Sequence, residues 1–424
     1  MAGLSLTALG GAEEVGRSSF ILDYGEKIML DRGVKLQADE VLYPLPLTTH
    51  VDAVVVSHSH MDHIGALPHL FVQDRILSYL TAPTLEISKM LWFDALKIAG
   101  QESMVPEFSE EEIRLTEKFS FPLGYRRELP VTANAHLTFF DAGHICGAAI
   151  SRLAIRETNF LYTGDFRVEP TRLHEGADLK AGPVDVVLIE STYGDRLHAP
   201  RKMAEKEFIE SVREVLDNGG NVVVPAFAVN RSQEMIELLA EAKLGVPLYL
   251  DGMGTRAAKI MESYPQFLRE PKKLKAALKE TEFISKGPMR KRVLREPSVV
   301  VTTAGMMQGG PVMYYMKQMF NDPDSAVFLT GYQVEGTGGR RLLEEGIMPF
   351  EDGEEKVACQ VRKFDFSGHA DQREMLLALK KWGPQKVVLV HGDKAVIPIF
   401  AQKIREDLGM EVIVPKTGKS VSLL

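Results

Sequence analysis

The chain has 424 residues, 45% apolar and 25% charged, which excludes a disordered polar chain and is too long for one ordinary core. A net charge of −8 argues against indiscriminate adhesion to nucleic acid but leaves room for a local basic cleft. Cys146 and Cys359 make neither a disulfide framework nor a cysteine zinc motif, residues 1–11 lack the layout of a signal peptide, and no apolar run is long enough to cross a bilayer, so the expectation is a cytoplasmic enzyme.

Four strand-like segments open the chain at 5–9, 18–22, 27–30 and 52–56, separated by glycines and acidic turns as in successive antiparallel strands. Helical periodicity follows at 84–99 and 110–118, then strands at 137–140, 148–155, 160–162 and 184–189. After Tyr193-Gly194-Asp195 the texture changes to regular alternation: helix 201–216, strand 221–225, helix 232–241, strand 247–250. Helix 257–264 and a basic helical stretch come next, then strand 298–302, helix 312–320 and strand 326–330. Such alternation implies βαβ units and a mostly parallel sheet. From about Gly353 the opening style resumes, with strands at 356–366, 386–390 and 411–414 and helices at 371–381 and 397–408. The reading is one α/β domain interrupted by a second, because the strands of the first half need the last seventy or so residues as a partner layer.

Chemistry concentrates in His58-Ser-His60-Met-Asp62-His63, directly behind the apolar run Ala53-Val54-Val55-Val56. Imidazole and carboxylate both suit zinc, and four candidate ligands in one turn exceed what one catalytic zinc takes from so short a segment. That points to two metals. Further candidates sit where strand-like runs end: His144 behind Ala142-Gly143, Asp165 behind Thr163-Gly164, His391 behind Val387–Val390 and His369 in Ser367-Gly368-His369-Ala370-Asp371. Six of the eleven histidines share this placement, whereas His50, His69, His136, His174 and His198 lack it and are set aside. Asp31, at the end of Ile28-Met29-Leu30, is read as a carboxylate that orients a ligand histidine, with a plain turn cap as the alternative. Lys286, Arg290, Lys291, Arg292 and Arg295 form a basic cluster, read either as part of a nucleic-acid cleft or as a solvated helical face.

These motifs resemble a known family. His58-x-His60-x-Asp62-His63, Ala142-Gly143-His144, Thr163-Gly164-Asp165 and the early Asp31 are similar to the metallo-β-lactamase pattern. Glu190-Ser-Thr-Tyr-Gly194, Phe366-Ser-Gly-His369-Ala-Asp371 and Leu389-Val-His391-Gly resemble the three added motifs of its β-CASP subgroup, which includes the cleavage and polyadenylation specificity factor nuclease, its archaeal homologues and RNase J. Pro225-Ala-Phe-Ala228, Thr303-Ala-Gly305-Met306 and Gly331-Tyr-Gln333 look like recurrent β-CASP segments, and Gly336-Thr-Gly-Gly-Arg340-Arg341 looks most like the archaeal homologues. The resemblance implies a four-layer αββα metallo-β-lactamase domain, 1–197 and 352–424, with an inserted β-CASP α/β domain, a parallel sheet flanked by helices, over 198–351. Some relatives carry KH domains before this unit or a further domain behind it. The chain therefore reads as a minimal catalytic unit whose specificity comes from partners.

By the same resemblance, two Zn²⁺ ions are expected, one on His58, His60 and His144, the other on Asp62, His63 and His391, with Asp165 bridging. Asp62, Glu190 and His369 are the candidate catalytic residues, His369 as acid to the leaving oxygen and Glu190 as the carboxylate holding its imidazolium. The implied activity is endonucleolytic hydrolysis of single-stranded RNA to a 5′-phosphate and a 3′-hydroxyl, in RNA processing or decay. Candidate RNA contacts are Lys286, Arg290, Lys291, Arg292, Tyr332 and Arg340. Alternatives are a 5′→3′ exoribonuclease of the RNase J type, a non-catalytic cleavage-factor subunit and a small-molecule thioester or lactam hydrolase. The last does not account for the insert or for the motifs at Glu190, His369 and His391. Homodimers and further RNA-processing subunits are compatible with the resemblance, and the apolar tail 421–424 is offered either as part of a dimer contact or as a disordered end.

Overall fold

Neighbouring residues of a strand point to opposite faces, and here both faces are apolar. Ile28, Leu30, Ala53 and Val55 enter one core while Met29, Val54 and Val56 enter another. Val186, Leu188, Val388 and Val390 likewise face the first core, and Val187, Ile189, Val387 and Leu389 a third. Strands of this kind must be covered twice. The result is two sheets packed face to face with helices on both outer surfaces, seen in a computed structural model that describes residues 3–37, 40–72, 74–101 and 105–424. Met1 and Ala2, the start of the segment judged not to be a signal peptide, lie outside the described residues.

The first seven-stranded sheet runs in the order Ser420–Ser422, Ser5–Gly10, Ser19–Asp23, Lys27–Leu30, Ala53–Val55, Ser78–Leu80, Ser120–Pro122. The second, also seven-stranded, runs Glu411–Ile413, Lys386–Val390, Val186–Glu190, Thr158–Tyr162, Ala149–Ile155, Ala135–Asp141, Glu128–Thr132. Helix Ala82–Gln101 covers the first through Trp92, and helices Gln372–Trp382 and Ile397–Leu408 cover the second. Two expectations change. Ala53–Val55 lies parallel, not antiparallel, to Lys27–Leu30, because the stretch between them, including a small hairpin of Lys35–Leu36 and Val41–Leu42, returns the chain to the starting side. The tail is neither free nor disordered: Ser420–Ser422 pairs antiparallel with Ser5–Gly10 and Leu423 is fully buried.

The middle of the chain builds a six-stranded, all-parallel sheet: Glu282–Ile284, Leu248–Asp251, Val299–Thr302, Val222–Pro225, Ala326–Leu329, Gln360–Lys363. The basic helical stretch divides into Pro271–Glu280 and Gly287–Val293 around the edge strand Glu282–Ile284. Gln360–Lys363 lies in this sheet although the boundary at 351/352 assigned it to the returning part. Pairing with Ala326–Leu329 keeps the chain in the insert, and it crosses back only in the loop behind Lys363. One face of the sheet, Val222, Val224, Val301 and Phe328, is continuous with the outer core of the second sheet, so the insert is packed onto its host rather than tethered to it. Among the described residues no helix is long and apolar enough to cross a membrane.

Candidate metal centre and acid pair

Parallel strands that end at one level deliver their following loops to one place. Asp31 follows Lys27–Leu30, His58 follows Ala53–Val55, Asp165 follows Thr158–Tyr162, Glu190 ends Val186–Glu190 and His391 follows Lys386–Val390. His144 arrives behind the antiparallel strand Ala135–Asp141. Two glycines permit the convergence. A Cβ on Gly143 (φ 67°) would lie 2.5 Å from the Arg167 carbonyl, and one on Gly164 (φ 52°) 2.5 Å from Ser57 Cβ. Asp31 and His391 carry positive φ of 57° and 47° without being glycine. Such backbone costs about 1–3 kcal/mol per residue. It is held by Asp31 N–H donating to Val55 O (2.9 Å) and His391 N–H to Gly11 O (2.8 Å).

The seven candidate ligands form two groups, His58, His60, His144, Asp165 and Asp62, His63, Asp165, His391, each with its ligand atoms within 4.8 Å of one another. In the first, His60 Nδ1 lies 3.1 Å from both His58 Nε2 and His144 Nε2. Asp165 divides between the groups. Its Oδ2 faces His58 Nε2 (3.4 Å) and His144 Nε2 (3.7 Å), and its Oδ1 faces His63 Nε2 (3.3 Å) and His391 Nε2 (3.6 Å). Asp62 Oδ2 is 3.6 Å from His391 Nε2. His63 Nε2, His391 Nε2 and Asp165 Oδ1 face one another buried, yet none completes a well-aligned hydrogen bond, a costly state that a cation would relieve. The residues fit a pair of metal ions.

The outward nitrogens of His58, His63, His144 and His391 are engaged, which turns their inward nitrogens toward the cluster as candidate ligand atoms. Asp31 Oδ2 meets His63 Nδ1 at 2.7 Å and also accepts from Tyr162 OH and Ser57 Oγ at 2.6 Å, the orienting contact expected of Asp31. His144 Nδ1 donates to Gly368 O (2.8 Å), His58 Nδ1 meets Ser57 Oγ (3.0 Å) and His391 Nδ1 meets Ser18 Oγ (2.9 Å). Burial pushes His58 and His144 well below the usual imidazole range and His60 down to about 4, so all three are neutral and free to ligate at neutral pH. Burial lowers His63 too, but Asp165, Asp62 and Asp31 outweigh it and hold this imidazole well above its usual range. A cation arriving there displaces a proton.

His369 stands beside the first group. Its Nδ1 is 3.0 Å from Glu190 Oε2 and 3.9 Å from Asp165 Oδ2. Burial draws the imidazole down, yet the Glu190 and Asp165 carboxylates raise it to about 9. Glu190, itself buried, is fixed by Phe166 N–H donating to its Oε1 (2.9 Å). Asp371, in the same motif, caps helix Gln372–Trp382 in a reciprocal box with Glu374.

Several participants carry no sequence signal of their own. Ser18 and Ser57 orient ligands through hydroxyls, and Arg167 donates to the carbonyls of Ser367 (2.9 Å) and His369 (3.2 Å). His198, set aside earlier, meets Asp365 Oδ2 (3.2 Å) and the His369 carbonyl (3.2 Å). His174, also set aside, meets Asn230 Oδ1 at 2.6 Å, and Asn230 Nδ2 donates to the His144 carbonyl (3.3 Å).

The candidate RNA contacts do not form one group. Lys286 and Lys291 are exposed at the far edge of the insert, and Lys286 follows the edge strand Glu282–Ile284. Arg290 forks onto buried Asp251 (2.6 and 3.0 Å). Arg292 pairs with Glu282 and lines a cavity of about 250 Å³ with Pro247 and Ser298, at the end of the sheet opposite the metal ligands. Arg340 pairs with Glu344 (2.5 Å). Tyr332 is exposed in the loop behind Ala326–Leu329, on the same sheet edge as the His369 loop.

Residues 233–342 match the family model of the Beta-Casp domain, 354–415 that of the Zn-dependent metallo-hydrolase RNA specificity domain, and 11–201 that of the anti-Pycsar protein Apyc1. The chain is 36% identical to "Probable RNase MJ4" of Methanocaldococcus jannaschii over 98% of this chain and 99% of that protein. It is 36% identical to "RNase aCSPSF2" of Saccharolobus solfataricus (99% of this chain, 85% of that one) and 34% identical to an "RNase J-like protein" of M. jannaschii (96% and 97%). A solved protein of unknown function from Enterococcus faecalis shares the fold, with a TM-score of 0.61 at 14% identity over 99% of this chain and 100% of that one. With full-length relatives at this identity and the two-group ligand cluster at the strand ends, the chain belongs to the β-CASP ribonuclease family of metal-dependent hydrolases.

Proposed function

We propose that this chain is a zinc-dependent nuclease that cuts single-stranded RNA internally and leaves a 5′-phosphate and a 3′-hydroxyl. The observation that carries the reading is the His369–Glu190 pair beside Asp165. A thioester's thiolate leaves without a proton, whereas a 3′-alkoxide needs a donor, and the pair is held charged beside the centre to give one. The seven candidate ligands would hold two Zn²⁺ ions, whose chemistry there would be to neutralise charge at phosphate oxygens and to acidify the attacking water. The side chains do the rest. Glu190 occupies His369 Nδ1, which leaves Nε2–H free to protonate the departing 3′-oxygen as water adds at phosphorus. Asp31, Ser57, Ser18 and Gly368 hold the ligand rings so that little reorganisation is needed.

The test is cleavage of one RNA, internally labelled, with either a 5′-hydroxyl or a 5′-phosphate. Internal fragments indifferent to the 5′ group support the reading. Processive mononucleotide release that depends on that group overturns it in favour of a 5′→3′ exonuclease, a second reading supported by the relative named RNase J-like protein. Less than one zinc per chain together with no turnover returns the chain to a non-catalytic role.

A further inference from the structure

We propose that Phe227 is a base-stacking residue which, with Tyr332, seats two nucleobases of single-stranded RNA beside His369. The proposal deepens the RNA reading above and rests on it. Val222–Pro225, Ala326–Leu329 and Gln360–Lys363 are consecutive neighbours in the parallel sheet. Their following loops leave the same edge in the same order, carrying Phe227, Tyr332 and His369. At about 4.8 Å per strand, the strand ahead of Tyr332 ends one step, and the strand ahead of Phe227 two steps, about 10 Å, from the strand ahead of the His369 loop. The Phe227 loop also reaches the centre directly, since Asn230 donates to the carbonyl of the candidate ligand His144.

A lone exposed phenylalanine needs no explanation. This one is seated. It is 36% exposed between buried Ala226 and Val229, and Tyr332 is 54% exposed beside buried Thr330 and Gln333. The Phe227 ring rests against two glycines. A Cβ on Gly331 would lie 2.9 Å from ring Cε2, and one on Gly305 would lie 2.9 Å from Phe227 N and 3.4 Å from ring Cδ1. A side chain at Gly331 displaces the ring, and one at Gly305 displaces the backbone that carries it. The buried Gln333 amide ties these glycines together, donating to Gly305 O (3.0 Å) and Gly331 O (3.3 Å). Ser232 anchors the loop from below by donating to the Phe227 carbonyl through Oγ (2.7 Å) and N–H (3.1 Å). A fixed, uncharged aromatic face with no polar atom of its own suits the flat face of a base, which every nucleotide presents whatever its sequence. Tyr332 extends the seat toward the acid.

The test uses the full-length, zinc-loaded chain and short phosphorothioate-linked single-stranded RNAs with one 2-aminopurine moved through successive positions, read by fluorescence on mixing, before cleavage sets in. Wild type should quench the probe at one or two adjacent positions. Phe227→Leu, which keeps apolar bulk against both glycines, should abolish the quench at one position and weaken binding about 5- to 150-fold, the range that stacking of one base spans. Phe227→Trp should restore both. If wild type binds RNA and the Leu variant matches it in quench and affinity, the stacking proposal fails and the RNA reading stands. A wild type that neither binds nor cleaves RNA overturns both. A Leu variant that changes the mass of the chain in solution and leaves the quench intact makes the patch a protein contact, and the proposal fails.

Discussion

Asp31 shows how much of the centre rests on one carboxylate without a ligand role. It receives Ser57 N–H and Oγ, Tyr162 OH and His63 Nδ1, all at 2.6–2.7 Å. Asp31→Ala should weaken metal binding by the group containing His63 about 10- to 100-fold while sparing the group of His58, His60 and His144. Stepwise zinc competition will show this, and equal loss at both steps refutes the orienting role. At His369 the sign of the pH effect follows from the raised value. The imidazole is protonated below about 9 and loses its acid function as pH rises through that value. The basic limb of the rate profile should therefore fall at or below pH 9, bound cations drawing it down. Glu190→Gln should move it further down by removing the carboxylate that favours the proton. A limb that Glu190→Gln leaves in place contradicts the pairing. The residues that gather at the centre were legible in the sequence because histidines and carboxylates at strand ends stand out from the apolar runs before them. Ser18, Ser57, Arg167 and His198 were not, because a hydroxyl, guanidinium or ring that orients a neighbour has no spacing rule.

Between elements, helix Arg201–Asp217 is joined to helix Arg231–Glu241 through Glu234. This buried carboxylate pairs with both Arg201 and Arg231 (2.6 Å to the latter), and burial, which would raise it, is outweighed by the two guanidiniums, which lower it. Both guanidiniums lie over the Phe366 ring, at 4.9 and 5.8 Å, just ahead of the acid. Glu234→Leu leaves two cations nearly buried without their anion and should cost about 3–5 kcal/mol. Denaturant melts will register it, and a loss under about 1 kcal/mol would contradict the burial argument. The basic cluster divides at this scale. Composition gave Arg290 and Arg292 a positive charge, but Asp251 and Glu282, far off in sequence, already claim it. The strand Gln360–Lys363 was recognised as a strand yet placed in the wrong sheet. Its own pattern is the same in either sheet, and only its pairing with Ala326–Leu329 decides.

For the whole molecule, the last residues complete the sheet that the first residues begin. Removing 420–424 takes away the partner of Ser5–Gly10 and the fully buried Leu423. An apolar strand left at an edge invites association. The truncated chain should melt several degrees lower and aggregate on heating, as differential scanning fluorimetry with light scattering will show; an unchanged melt means the pairing is dispensable. Most strands and helices, and the interruption of one domain by another, were legible from periodicity; Ser78–Leu80, Ser120–Pro122, Glu128–Thr132, Glu282–Ile284 and Ser420–Ser422, short and without clear alternation, were not. The continuity of the two cores was not, since it depends on which apolar faces meet. One small feature joins these scales. The Ser367 carbonyl accepts from Arg167 of the host (2.9 Å) and from Arg201 of the helix that opens the insert (3.2 Å). Two residues later the same loop presents His369. That oxygen works as an AND gate: it is braced from both sides only when host and insert are seated together, so in a chain with its candidate metal ligands folded but its insert displaced the loop of the proposed proton donor would be half-held.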